Sequence, residues 1–152
     1  KAMMSYKKAV EYADTLSKDC DYVTLFSIYG QMADIFRSQY LHVKAIECYE
    51  RYSYYAVRAK DIASYIQGFD LIASEYYDLG DTLKAIGLTQ KCYRLYKEHG
   101  LNQDAAQVLP TLIYVYLQRT QYQQARYYMD LYEKKSGLFD KEDNILAGRE
   151  HY

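Results

Sequence analysis

Residues 69–92 read FDLIASEYYDLGDTLKAIGLTQKC. Phe69, Ile72, Ala73 and Tyr76 recur at the i, i+3, i+4, i+7 spacing of a helix with one buried face. Ala85, Leu88, Thr89 and Cys92 repeat that spacing after a break at Leu79-Gly80-Asp81. Gly80 can take the left-handed conformation that closes a helix, and Asp81 can cap the helix that follows. The stretch therefore predicts two antiparallel helices that meet across alanines.

The same unit recurs on both sides. Toward the N-terminus the buried stripes are Tyr29, Met32, Ala33 and Phe36, then Ala45, Cys48, Tyr49 and Tyr52 after a turn near Tyr40-Leu41-His42. Toward the C-terminus they are Leu109, Leu112, Ile113 and Tyr116, then, beyond Thr120-Gln121, Ala125, Tyr128, Met129 and Tyr132. Asp21 and Asp61 are expected caps, and His99-Gly100 and Ser136-Gly137 are expected helix ends. A helix over 2–18 carries Ala9, Tyr12, Ala13 and Leu16 on one face, and Asp140 opens a last amphipathic segment. The alanines that open the second-helix stripes are Ala9, Ala45, Ala85 and Ala125, separated by 36, 40 and 40 residues. A steady period in the range of roughly 20 to 50 residues marks a solenoid, in which each unit buries its face against its neighbours.

Composition agrees with an all-α chain. Of 152 residues 50% are hydrophobic, which argues against disorder, while one proline and seven glycines leave little for extra turns. Nineteen basic and 20 acidic residues give a net charge of −1, so no electrostatic footprint for nucleic acid is present. No apolar run approaches the roughly 20 residues that span a bilayer. The 21 tyrosines, with no tryptophan, suit half-buried seams between helices, and some suit a binding surface. Cys20, Cys48 and Cys92 have neither zinc nor disulfide spacing, and such thiols fit a reducing, cytoplasmic compartment while leaving localisation open.

These features resemble the tetratricopeptide repeat. Tyr29, Met32, Ala33, Phe36, Ala45 and Tyr49 match one copy, and Phe69, Ile72, Ala73, Tyr76, Gly80, Asp81 and Ala85 match the next. Leu109, Leu112, Tyr116, Tyr122, Ala125 and Met129 match a third, with Tyr6, Ala9 and Ala13 as the second helix of an earlier copy. The period exceeds the family's usual ~34 residues and the closing proline is missing. The longer helices resemble those of bacterial regulatory and signalling members. The resemblance implies a right-handed α-α superhelix of antiparallel hairpins. It would form one array over 1–152: a half-repeat at 2–18, repeats at about 22–60, 61–100 and 101–137, and a partial repeat at 140–152. An array opening and closing on half-repeats reads as part of a longer chain.

No catalytic constellation is legible. His42, His99 and His151 lie in separate repeats without a second ligand at metal spacing, and read as solvated residues near helix ends. No phosphate-cradling loop occurs, so neither an enzyme nor a cofactor or metal site is expected. The resemblance instead implies a protein- or peptide-binding module whose first helices line a concave face. The groove positions are Gly30, Asp34 and Arg37 in the first repeat, then Asp70, Ser74 and Tyr77, then Pro110, Tyr114 and Leu117. Gln31, Gln67, Gln107 and Gln118 can hydrogen-bond a peptide backbone. The family's lysine- and arginine-based carboxylate clamp is replaced by Gly30, Asp34, Gln67, Gln107 and Thr111, which disfavours chaperone tails. Tyr114 and Leu117 are either a contact patch or support for a neighbouring helix. Pro110, inside a helix, removes one backbone hydrogen bond and is expected to kink it. Two further readings are self-association through exposed end helices, and a sensory arm of a transcription regulator that binds a peptide signal.

Overall fold

The computed structural model describes residues 6–10 and 21–136. Residues 6–10 are helical, and six further helices follow: α1 Tyr22–Ser38, α2 His42–Arg58, α3 Ile62–Leu79, α4 Thr82–Glu98, α5 Asn102–Gln118 and α6 Tyr122–Ser136. No strand occurs among the described residues. The chain is all-α, as its periodicity predicts. The rest of the 2–18 helix with Tyr12, Ala13 and Leu16, Cys20, the Gly137 helix end, and the segment from Asp140 with His151 lie outside the described residues.

The helix starts follow the aspartates. Asp21 accepts from Thr24 N at 3.1 Å and from Thr24 Oγ1 at 2.5 Å, and those bonds hold its carboxyl below the usual carboxylate range. Asp61 accepts from Ser64 N at 3.0 Å and Ser64 Oγ at 2.8 Å, and Asp81 accepts from Lys84 N at 3.3 Å. Leu41 and Leu101 precede α2 and α5 with no side-chain cap. The helix ends obey one rule. Tyr40, Lys60, Gly80, Gly100 and Thr120 have φ of 59°, 63°, 86°, 72° and 57°. The next residue's N–H reaches back to Phe36, Ala56, Tyr76, Tyr96 and Tyr116 O, at 2.8–3.0 Å. This is the Schellman closure, and it returns every 20 residues.

The chain divides into two compact units, residues 1–88 and 89–152, with α4 running through the division. In the first unit α1 packs on α2 and α2 on α3. Met32, Ala33, Ala45, Ile46, Cys48, Tyr49 and Ile72 form its central cluster, and burial pushes the Cys48 thiol up. Tyr49 is fully buried, and its hydroxyl donates to Asp34 Oδ1 at 2.8 Å, so the ring adds apolar area without an orphaned oxygen. The helices approach at small residues. A Cβ added to Gly30 would lie 3.1 Å from the Tyr52 ring, and one added to Gly68 would collide with Ser53 Oγ, which donates to Tyr65 O at 2.9 Å. Tyrosines fill the seams. Tyr55 stacks between Tyr22 and Tyr29, with ring centroids 6.1 Å and 5.8 Å away.

In the second unit α5 packs on α6. Ala105, Val108, Leu109, Leu112, Val115 and Tyr116 of α5 are buried, as are Cys92 and Tyr96 of α4 and Ala125 of α6. Tyr116 and Tyr128 stack at 5.7 Å, and Gln90 Nε2 donates to both hydroxyls, at 2.9 and 3.2 Å. Helix α5 continues through Pro110. Met129, expected on the buried stripe, is 42% exposed because it borders an open hollow.

The two interior glycines of α3 and α4 make opposite predictions. Gly68→Ala should destabilise by ~1–3 kcal/mol, because Ser53 or the α2–α3 crossing must shift. Gly87→Ala meets nothing within 4 Å and should stabilise by ~0.5–1 kcal/mol through helix propensity. Urea unfolding of the two variants checks both signs.

Candidate functional site

The side chains that sequence reasoning assigned to a groove belong to both units. In the first unit Asp34 and Arg37 share a hollow of ≈ 370 Å³ with Ser38 and Tyr40. Asp34 is already bonded to Tyr49. Arg37 points toward a residue that sequence reasoning missed, Glu75 on α3.

Glu75 is fully buried. Its Oε1 lies 3.2 Å from His42 Nδ1, and its Oε2 lies 3.4 Å from Arg37 Nε but makes no hydrogen bond. His42 is therefore not the solvated residue that its place at a helix start suggests; its side chain is 17% exposed and faces a carboxylate. Asp78, one turn beyond Glu75, brings a second carboxylate, and ligand atoms of His42, Glu75 and Asp78 all lie within 4.8 Å of one another. A signal for this contact was available. Ile72, Glu75, Tyr76 and Leu79 also satisfy the i, i+3, i+4, i+7 template, which puts an acid on a half-buried face. What the sequence hides is the partner, 33 residues earlier.

The middle groove positions are less open than expected. Asp70, Ser74 and Tyr77 on α3 are half-buried, whereas Gln67 is exposed and accepts from the Tyr52 hydroxyl at 3.3 Å. Gly30 sits against the Tyr52 ring. Withdrawal from water pushes the Asp70 carboxyl up.

In the second unit Gln107, Tyr114, Leu117 and Gln118 are exposed. Tyr114 and Leu117 open with Pro110, Ile113, Met129, Tyr132 and Glu133 into one hollow of ≈ 310 Å³. Tyr114 and Leu117 are 63% and 43% exposed, on a helix whose opposite face is anchored by Leu112 and Val115. The Tyr114 hydroxyl accepts from Gln118 Nε2 at 3.0 Å, which fixes both side chains at the rim. Seven residues apart on α5, Pro110 and Leu117 lie on one face, and the missing Pro110 N–H leaves a backbone carbonyl one turn back without its helical donor.

The Asp70 shift has a definite sign. A carboxyl raised in the fold contributes stability below its unfolded value of about 3.9, and that contribution is lost as pH rises through the folded value. Asp70→Asn should therefore melt above the parent near about pH 7, and the gap should close toward about pH 3. Thermal melts across that range check it.

No family model matches this chain, and no curated protein matches it in sequence. Among solved structures it is similar to BtubC (BKLC) from P. vanneervenii, with a TM-score of 0.72 and 17% sequence identity. The match covers 91% of this chain and 56% of that one, so the chain spans little more than half of its structural neighbour. At this identity the likeness carries the fold, a helical repeat-like arrangement of consecutively packed helices.

Proposed function

We propose that this chain is a non-catalytic module that binds a protein or peptide segment, in the manner of tetratricopeptide repeats, within a signalling or regulatory protein. The observation that carries this reading is the apolar hollow of α5 and α6, where Tyr114 and Leu117 stay exposed beside Pro110, Ile113, Met129 and Tyr132. A bound apolar side chain that covers them would recover part of the about 1.5–3 kcal/mol that full burial of a large apolar side chain contributes. A hollow of ≈ 310 Å³ suits one bulky apolar residue. Exposed Gln107 and Gln118 offer backbone hydrogen bonds to a ligand. Asp34, Arg37 and Gln67, with half-buried Asp70, Ser74 and Tyr77, are the contacts proposed for the first unit. None of these interactions requires nucleic acid, and no helix among the described residues is long and apolar enough to cross a membrane.

Selection from a displayed random-peptide library should enrich sequences with a bulky apolar residue. In fluorescence polarisation, Tyr114→Ala with Leu117→Ala should weaken the selected peptide at least tenfold, about 1.4 kcal/mol, while circular dichroism stays unchanged. Unchanged affinity in that double variant would sink the assignment. A chain shortened to end at Ser136 separates the remaining occupant, the chain's own following residues. Peptide binding that appears only after shortening would mean that those residues fill the hollow, and the reading would fail.

A further inference from the structure

We propose that His42, Glu75 and Asp78 form a binding site for a divalent first-row transition-metal cation. Three independent features of the first unit lead there. The geometry is the first. A cation held at about 2.0–2.2 Å from nitrogen and oxygen ligands needs those atoms about 3.0–3.4 Å apart. His42 Nδ1 and Glu75 Oε1 are already 3.2 Å apart, and the whole trio lies within 4.8 Å. Asp78 is exposed and has room to close the remaining gap by rotation.

The second feature is a buried carboxylate oxygen without a hydrogen bond. Glu75 is fully buried, yet its Oε2 has no hydrogen bond. A buried carboxylate with an unsatisfied oxygen is costly, and such an atom calls for a partner. Arg37 supplies only a loose ion pair at 3.4 Å from a side chain that is 45% exposed. The third is position. Glu75 and Asp78 stand among the last five residues of α3, near the negative end of its dipole, and its last turn contains no basic residue. Two like charges at i, i+3 on a helix C-terminus repel each other, and a bound cation turns both penalties into attraction.

The donor set selects the ion. One imidazole with two carboxylates is a mixed nitrogen and oxygen site, which suits zinc, manganese or cobalt better than calcium or magnesium with their all-oxygen preference. Three protein ligands leave coordination positions for water or an external group. Arg37 competes with the cation for Glu75, which gives the site a counter-test that a plain ion pair lacks.

Tag-free protein titrated with zinc chloride in a calorimeter should bind one equivalent with a micromolar Kd. Manganese should selectively broaden the NMR signals of the His42 ring, a readout that the buried thiols Cys48 and Cys92 do not influence. Asp78→Asn, at an exposed position that does not threaten the fold, should weaken binding at least tenfold, and His42→Ala should abolish it. Arg37→Gln should tighten it several-fold. Absence of saturable binding at millimolar zinc would overturn the proposal. So would binding that persists in His42→Ala, or that weakens in Arg37→Gln.

Discussion

Five chain reversals among the described residues govern this fold. At positions 40, 60, 80, 100 and 120 one residue turns left-handed, and the residue after it recovers the carbonyl five positions back. Gly80 and Gly100 meet that backbone demand without a side-chain clash. Tyr40, Lys60 and Thr120 accept it at roughly 1–2 kcal/mol each, and Thr120 is β-branched, for which such a φ is rare. The chain tolerates three such costs because each closure satisfies otherwise orphaned carbonyls, and those at Tyr40, Lys60 and Thr120 join the helix pairs that pack on one another within each unit. With the reversals at fixed intervals, α1, α2, α4 and α5 come out at 17 residues and α3 at 18.

That regularity positions the chemistry. In the first unit, the reversal at Tyr40 places His42 at the start of α2, and the reversal at Gly80 ends α3 just past Glu75 and Asp78. The close approach of α2 and α3 at Ser53 and Gly68 draws the two elements together, so an imidazole and a buried carboxylate meet at 3.2 Å. In the second unit the reversal at Thr120 leads from α5 into α6, and Tyr114 and Leu117 share a hollow with Met129 and Tyr132. The scaffold is repetitive, but the surfaces it presents are not.

Much of the scaffold was legible in the chain. Asp21, Asp61 and Asp81 cap the helices they were expected to cap, Gly80 closes α3, and the stripes through Met32, Ala33, Ile72, Ala73, Leu109 and Leu112 are buried. These features are local, so spacing alone reveals them. The left-handed conformation of Tyr40, Lys60 and Thr120 was not legible, because their side chains do not advertise it and only the 20-residue rhythm does. The groove was read less well. Asp70, Ser74 and Tyr77 are half-buried rather than open, Gly30 is covered by Tyr52, and Met129 is exposed. Glu75 escaped notice because its partners Arg37 and His42 come from other elements, and helical periodicity describes one element at a time.

The five reversals are copies of one hydrogen-bonded closure, and amide hydrogen exchange tests this directly. The amides of Leu41, Asp61, Asp81, Leu101 and Gln121 each donate to the carbonyl five residues back. All five should exchange far more slowly than the exposed first-turn amides of α1, and the non-glycine closures should be protected like the glycine ones. If Leu41, Asp61 and Gln121 exchange at unprotected rates while Asp81 and Leu101 do not, only the glycine turns form, and the 20-residue frame is wrong.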